Sequence, residues 1–308
     1  MMKKISYFIS KYLIDKKRNN KVEGKKVLIN DCQKIGNYLF KTPLIKGLAI
    51  AGYDVYILGS KYTVEMAKEN PYVKEVILDN SYRKKSTDIF RNIKTALKYR
   101  NFFDYYIEMV GSIYLREILM MRILNPGKII GLTRKHGKSF KLIDEVIKAQ
   151  DHIRENSIEI LKYFGISEPN VIYDIHLPET HKYSNLLKRK PLVLYNGTAS
   201  TKSRSIPKEV EDILIKKLKE ISWIEFKKIE RENSIMDLCG LISKADLILS
   251  VDTGTSHIAS AFNIPILIDQ CDSRVYPKSS YTIEKKFSSE DIDKYVCEML
   301  SSLYYKAV

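Results

Sequence analysis

Short apolar runs alternate with amphipathic stretches along the first half of the chain. Such runs are typical of buried strands, and the stretches between them have the spacing of helices. The pattern predicts strands at residues 27–30, 54–58, 73–78, 103–109 and 128–132. It predicts helices at residues 38–51, 63–69, 87–99 and 113–124. This alternation favours a parallel sheet with helices on both faces, because parallel neighbours need a crossover connection.

The second half has the same rhythm after a looser stretch that contains Pro169 and Pro178. Strands are predicted at residues 191–195, 223–227, 246–251 and 264–268, with helices at 207–220 and 235–244 and a short one before the last strand. We therefore expect an α/β protein with two similar halves. The predicted domain limits are residues 1–175 and 176–285. A C-terminal helix over residues 286–308 is expected to follow, and packing of this helix against the first domain is one arrangement that the sequence allows.

The composition narrows the class of protein. A formal net charge of +15 points to an anionic partner, namely nucleic acid, a phospholipid surface or a phosphorylated substrate. The hydrophobic fraction of 44% excludes a disordered chain as the source of that charge. Four scattered cysteines without a CxxC pair exclude a dense disulfide framework and a zinc ribbon, and they fit a reducing cytoplasm. Because no apolar run reaches 18 residues, we expect no membrane-spanning helix.

One stretch, residues 245–268, carries the clearest chemistry. Its apolar strand ends in Asp252-Thr253-Gly254-Thr255-Ser256-His257 and passes directly into a helix. Backbone N–H groups at a helix start favour a phosphate, and a glycine lets the backbone approach the ligand. The pattern predicts a nucleotide diphosphate site. The alternative is a tight β-α turn in which Asp252 or Ser256 only caps the helix.

Three ordered motifs in this chain resemble those of a known family. The first is the pattern D-T-G-x-x-H-x-A-x-A, which the chain matches at Asp252, Thr253, Gly254, His257, Ala259 and Ala261. The second is I-G-D-x-x-x-x-T-P-L, present as Ile35-Gly36-Asn37 followed by Thr42-Pro43-Leu44. The third is a loop of small, hydroxyl and basic residues ending in K-x-W-P, for which residues 197–207 read GTASTKSRSIP. From about residue 26 to residue 270, the chain resembles glycosyltransferase family 9, the lipopolysaccharide heptosyltransferases.

The resemblance implies a GT-B fold, in which two Rossmann-like domains with parallel sheets face a central cleft. It implies an inverting transfer of heptose from ADP-heptose to a lipopolysaccharide or lipooligosaccharide inner-core acceptor, without a cofactor or a metal. By this resemblance, the residues that bind the donor are Ser200, Thr201, Lys202, Arg204, Asp252, Thr253, Gly254, Thr255, Ser256 and His257. Arg204 stands where the family usually has Lys, and Ile206 replaces the usual Trp. The stretch that follows residues 223–227 is abbreviated, and Glu230 or Glu232 could hydrogen-bond ribose there or belong to a solvated loop.

Asn37 is the departure with the largest consequence. The family has an acidic residue there, its proposed catalytic base, and an amide cannot accept a proton as a carboxylate does. Asp31 stands six residues earlier, at the end of the predicted strand that precedes this motif. The carboxyl end of a strand in an open α/β sheet borders the ligand crevice. We therefore name Asp31 and Asn37 as the catalytic candidates. A slow enzyme with an altered acceptor and a family member that no longer catalyses remain open.

The remaining charge suggests where the protein acts. Two groups of cations follow predicted strands of the first half and are candidates for binding the acceptor, although a solvated face would also explain them. They include Arg83, Lys84, Arg134 and Lys135. We expect a cytoplasmic protein, peripheral on the inner face of the cytoplasmic membrane, whose partners are a nucleotide-sugar donor, an anionic lipid-linked oligosaccharide acceptor and that membrane, with no nucleic acid. A catalytically degenerate protein that binds nucleotide sugar or glycan and a basic nucleic-acid-binding protein are the alternatives.

Overall fold

The computed structural model describes residues 15–18, 20–31, 34–61, 63–78, 87–109, 115–133, 140–169, 172–200, 202–269, 275–277 and 282–284. The chain divides into two compact units, Met1–Asn170 and Val171–Val308. Each unit has its own parallel sheet and helices.

The N-terminal unit alternates strands and helices as the apolar pattern predicts. Its elements are β1 (Lys26–Asp31), α1 (Ile35–Ile50), β2 (Asp54–Gly59), α2 (Val64–Glu69), β3 (Glu75–Leu78), α3 (Thr87–Lys98), β4 (Tyr105–Glu108), α4 (Leu115–Leu124), β5 (Lys128–Leu132), β6 (Glu145–Ile147) and α5 (Ile153–Tyr163). The strand order is β3-β2-β1-β4-β5-β6, and every pair is parallel. The strand order reverses direction between β1 and β4. In open α/β sheets, ligands bind at the carboxyl ends of the strands at such a point.

The register of the central strands fixes which residues meet at that edge. Val27 of β1 pairs with Tyr105 of β4, so the carboxyl ends of the two strands lie side by side. The strands are buried because helices cover both faces, and Leu28, Tyr106 and Ile129 pack with residues of α3 and α4 in one apolar cluster. Polar residues at this edge are therefore held on a rigid and largely dry support.

The C-terminal unit repeats the arrangement on a smaller scale. Its elements are β7 (Leu192–Asn196), a 3₁₀ turn (Lys202–Arg204), α6 (Lys208–Glu220), β8 (Glu225–Lys228), α7 (Ile235–Ser243), β9 (Leu247–Val251), α8 (Gly254–Ala261), β10 (Ile266–Asp269) and β11 (Thr282–Glu284). The sheet is parallel with the order β11-β10-β9-β7-β8. Because β7 and β9 are neighbours, the loops that follow them meet at one edge.

The predicted strands and helices of both halves are confirmed, apart from shifts of a few residues at their ends. The sequence did not predict β6, a short edge strand without a continuous apolar run, nor α5, in which Arg154, Asn156 and Ser157 are buried. The Ser157 hydroxyl donates to Phe40 O at 2.6 Å and ties α5 to α1. The predicted helix at 286–308 lies outside the described residues. Among the helices that are described, none has the length and apolar composition needed to cross a bilayer.

Candidate functional site

The turn from β9 into α8 forms the centre of the candidate site. All five residues of β9 are buried, and Asp252 and Thr253 lead from the strand into the helix. Thr253 is the N-cap residue of α8, but its side chain makes no capping hydrogen bond. The Ser256 hydroxyl donates to Thr253 O at 2.8 Å, so it does not cap the first N–H groups either. The helix start therefore keeps the electrostatic character that attracts an anion.

Asp252 contacts the side chains of an arginine and a histidine. Its Oδ2 accepts a hydrogen bond from Arg204 Nη1 at 3.0 Å, and its Oδ1 lies 3.8 Å from His257 Nε2. The Asp252 and His257 side chains are buried, whereas the Arg204 side chain is 46% exposed. Arg204 Nη2 also donates to Ser200 Oγ at 3.4 Å. A half-exposed guanidinium thus stands on a buried carboxylate, beside a helix start.

Asn196, at the end of β7, links the neighbouring loop to this turn. Its side-chain amide donates to Thr253 Oγ1 at 3.2 Å and to Thr255 Oγ1 at 2.9 Å. The two threonine hydroxyls are thereby fixed in position at the sheet edge. Sequence reasoning did not single out Asn196, although a polar residue that ends an apolar strand next to the motif strand is a readable signal.

The loop that carries Ser200 and Arg204 is closed by two hydrogen bonds within it. Ile206 N donates to Gly197 O at 2.9 Å, and Ala199 N donates to Ser205 Oγ at 2.9 Å. A Cβ atom at Gly197 would come within 2.0 Å of the Tyr195 hydroxyl, so only glycine fits where the loop passes this ring. Ile206, at the family's tryptophan position, is buried in the core of the unit. The compact loop therefore places Arg204 over Asp252.

His257 is held from a second side. Its ring meets the ring of Tyr173 edge to face, with the centroids 6.2 Å apart. Tyr173 is buried and belongs to the stretch that leads into the C-terminal unit. The sequence motif singled out His257 as a candidate, but it gave no sign of the contact with Tyr173.

Asp31 lies at the carboxyl end of β1 in the N-terminal unit and is completely buried. Its Oδ1 forms an ion pair with Nζ of Lys41, a buried residue of α1. Burial raises the pKa of Asp31, and the Lys41 charge opposes that rise. The neighbouring Thr63 hydroxyl also lowers the pKa of Asp31 and so favours the ionised carboxylate. Sequence reasoning missed Lys41, even though it directly precedes Thr42-Pro43 of the second motif.

Asn37 is part of the first turn of α1 and is partly exposed, and its backbone N–H donates to Lys34 O at 3.0 Å. A second carboxylate, Glu108, ends the neighbouring strand β4 and is buried. Glu108 Oε2 accepts hydrogen bonds from Asn30 Nδ2 at 2.8 Å and from the Tyr106 hydroxyl at 3.3 Å. The edge between β1 and β4 therefore carries two acidic side chains, Asp31 and Glu108, and only the first was predicted as a candidate.

Glu232 was one of the two residues considered for hydrogen bonding to ribose. Its side chain is largely buried and already accepts hydrogen bonds from two side chains. Lys182 Nζ lies 2.7 Å from its Oε2, and the Tyr183 hydroxyl donates to its Oε1 at 2.6 Å. Although desolvation by burial raises the pKa of Glu232, these two hydrogen bonds outweigh it and the pKa is lowered. Glu230 is exposed.

The predicted donor residues fall into two contact groups. Ser200, Arg204, Asp252 and His257 form one, and Thr253, Thr255 and Ser256 surround the start of α8. Gly254 is the first residue of that helix, and Lys202 is exposed in the 3₁₀ turn. Thr201, Arg83, Lys84, Arg134 and Lys135 lie outside the described residues. Within the described part of the chain, no three His, Cys, Asp or Glu side chains are grouped as metal ligands.

Comparison with known proteins adds independent information. No model of a known protein family matches the chain. The chain is 21% identical over 341 aligned positions to the Escherichia coli K12 protein named Putative lipopolysaccharide heptosyltransferase 4, with 94% of this chain and 93% of that protein covered. The chain resembles the heptosyltransferases of glycosyltransferase family 9.

Two solved structures agree with this resemblance to the heptosyltransferases. The family 9 glycosyltransferase of Veillonella parvula superposes with a TM-score of 0.70 at 13% identity, covering 91% of both chains. The E. coli heptosyltransferase WaaC with ADP gives a TM-score of 0.69 at 15% identity, covering 90% of this chain and 99% of WaaC. The predicted family resemblance and the predicted α/β GT-B fold class are confirmed. The chain is heptosyltransferase-like, with Asn37 in place of the acid that the family motif carries.

Proposed function

We propose that this protein is an inverting, metal-independent glycosyltransferase that moves heptose from ADP-heptose to an inner-core lipopolysaccharide or lipooligosaccharide acceptor. The observation that carries the proposal is the joint placement of the start of α8, Arg204, Asp252 and His257 at one sheet edge. These groups suit a sugar diphosphate, because the helix start and the guanidinium meet the phosphates while the carboxylate can accept sugar hydroxyls. The similarity to heptosyltransferases and the ADP in the WaaC structure support ADP-heptose as the donor.

In the proposed reaction, the acceptor hydroxyl attacks the anomeric carbon of the sugar while a base takes its proton. The bond to the nucleoside diphosphate breaks, and negative charge grows on the leaving phosphate. Arg204 and Lys202 counter this charge, and preorganised cations are most effective for charge that develops in the transition state. Asp252 keeps the Arg204 guanidinium in place before the donor binds. The donor phosphates then compete with Asp252 for that guanidinium.

The catalytic base in this proposal is Asp31. Asn37 cannot take the role, and Asp31 ends the strand at which the sheet order reverses. We expect Asp31→Asn to abolish transfer while donor binding survives. Because this variant leaves the buried Lys41 charge without its carboxylate, folding is checked by circular dichroism before activity is compared. Full transfer by folded Asp31→Asn would remove Asp31 from the role.

A donor screen tests the first step. Ligands that bind the folded state raise the unfolding temperature by mass action. We expect ADP-sugars to raise it in a concentration-dependent manner, and UDP-, GDP- and CMP-sugars to raise it less. Arg204→Gln is the matched variant, in which the shift should shrink while the unfolding temperature without ligand stays unchanged, because the Arg204 side chain is half-exposed. The proposal fails if no nucleotide diphosphate stabilises the protein.

A catalytically degenerate protein that binds nucleotide sugar without turnover is the second candidate. Asn37 and the enclosure of Asp31 by Lys41 favour it. Incubation with ADP-heptose and a truncated core acceptor separates the two functions, because only the enzyme forms product. Donor-induced stabilisation without product, in the presence of acceptor, would select the binding protein.

The acceptor and the site of action complete the proposal. We place the protein in the cytoplasm, peripheral on the inner face of the cytoplasmic membrane, with an anionic lipid-linked oligosaccharide as acceptor. The net charge of +15 supports an anionic surface and substrate. Arg83, Lys84, Arg134 and Lys135 remain the proposed acceptor cations. Variants of these four residues should raise the acceptor KM and leave donor stabilisation unchanged.

A further inference from the structure

Two large apolar side chains are exposed at the end of the C-terminal unit where its strands begin. Leu187 is 89% exposed and precedes β7, and Trp223 is 40% exposed in the turn before β8. This is the end opposite to the candidate donor site, which lies where the strands finish. Neither the donor chemistry nor the core explains why these side chains face solvent.

Backbone and side-chain contacts bring the two segments together. Glu225 N donates to Pro191 O at 2.8 Å, which aligns the starts of β7 and β8. Lys190 Nζ donates to the carbonyl of Ser222, the residue before Trp223. The loop 187–190 and the turn at 222–223 therefore form one surface, which we call the Trp223 surface.

The charge of this surface is positive. Lys188, Arg189 and Lys190 are consecutive and exposed. Asp246 Oδ2 lies 2.7 Å from Lys188 Nζ and balances that one cation. The nearby ends of elements add two cations and two acids, Lys219, Lys244, Glu220 and Glu225. Cations therefore outnumber acids by two around the exposed leucine and tryptophan.

We propose that the Trp223 surface docks on an anionic phospholipid bilayer. Indole rings favour the interface between headgroups and acyl chains, since one part of the ring is apolar and the N–H stays hydrated. A fully exposed leucine gains by entering the acyl region, and each nearby Lys or Arg is attracted by anionic headgroups. The inference adds a defined contact surface to the proposed membrane location, and it does not depend on which donor or acceptor is used.

The chain's single tryptophan reports on this contact directly. The full-length protein is mixed with vesicles of phosphatidylcholine containing phosphatidylglycerol, and binding is measured by co-sedimentation alongside Trp223 emission. We expect binding and a shift of the emission to shorter wavelength, because the indole moves into a less polar medium. Vesicles of phosphatidylcholine alone should produce neither. Absence of binding to the anionic vesicles overturns the proposal, and so does binding without an emission shift, because the contact would then lie elsewhere on the protein.

Matched variants test the surface residue by residue. Leu187→Asn should weaken vesicle binding about ten-fold, the equivalent of losing most of one leucine's burial. Arg189→Gln should weaken it about five-fold, and high salt should remove that difference. Ile50→Asn is the control, since Ile50 is 66% exposed but belongs to the N-terminal unit. Equal effects of the Leu187 and Ile50 variants would refute the assignment. Donor-induced stabilisation, measured without vesicles, reports separately on the proposed function.

Discussion

The buried pair of Asp31 and Lys41 allows a sharp prediction about stability. The Asp31 side chain is 0% exposed and that of Lys41 is 4% exposed, so water does not solvate either charge. Lys41→Met keeps most of the side-chain volume and removes the ammonium group. Asp31 then remains as a buried carboxylate without its cation. We expect a destabilisation of about 3–5 kcal/mol, the usual cost of removing one partner from a buried ion pair.

This cost is large compared with the stability of a typical domain. Folded domains are stable by roughly 5–15 kcal/mol, and each kcal/mol lowers the unfolding temperature by about 2–4 °C in units of this size. The variant should therefore unfold about 10 °C lower than the wild type. Replacing both residues, as in Asp31→Leu with Lys41→Met, removes both charges at once. The double variant should recover most of the loss, because a buried ion pair is about as stable as well-packed apolar residues.

The pH dependence has a definite sign. Burial places the folded-state pKa of Asp31 above its usual value of 3.8. Protonated Asp31 therefore stabilises the fold fully at pH values below 3.8, and this stabilisation is lost as the pH rises through the folded-state pKa. Without Lys41 the folded-state pKa rises further. The penalty of Lys41→Met should therefore be greatest at neutral pH and should shrink at acidic pH, where Asp31 is protonated.

Urea unfolding followed by circular dichroism at several pH values measures these quantities. The double-mutant cycle gives the coupling between the two side chains. A penalty that is independent of pH would refute the buried-charge explanation, and so would a double variant whose loss equals the sum of the single losses.

Three further predictions concern other residues. Arg204→Gln should lower kcat about a hundred-fold in transfer from ADP-heptose, whereas Arg204→Lys keeps the charge and should retain more activity; equal losses would count against a phosphate role. In the Asp31→Asn background, adding Asn37→Asp should raise the transfer rate at least ten-fold above that of Asp31→Asn alone, because it supplies the family's carboxylate. If the rate does not rise, the base lies elsewhere. Glu232→Gln should destabilise by no more than about 1 kcal/mol at neutral pH, because the Lys182 side chain that loses its charged acceptor is 53% exposed and solvated. Because the pKa of Glu232 is lowered, its stabilising effect is present above about pH 4.5 and is lost as the pH falls. In urea titrations at acidic pH, the variant and the wild type should therefore be equally stable.

The periodic pattern of the sequence was sufficient for the architecture, because buried parallel strands are continuous apolar runs. It failed for β6 and α5, where a short edge strand and buried polar side chains remove the periodic signal. At the candidate site, the motif singled out Asp252 and His257, which remain predicted donor-binding residues. The long-range partners Tyr173 and Asn196 depend on how distant segments meet, which periodicity does not encode.

Lys41 shows why the base is harder to assign than the donor site. Because Asp31 ends β1, the sequence predicted that its carboxylate faces a ligand. In the structure, one oxygen of that carboxylate is paired with Lys41 of α1. The two roles, a structural ion pair and a catalytic base, predict different pH profiles of kcat for the Lys41→Met variant. If Asp31 is the base, removing the cation raises its pKa and moves the acid limb of the kcat profile to higher pH. If the pair is structural only, the folded fraction of the variant should keep the wild-type profile. Measuring kcat against pH below the unfolding temperature of the variant separates the two roles, since instability changes the amount of active protein and leaves the midpoint of the acid limb where it was.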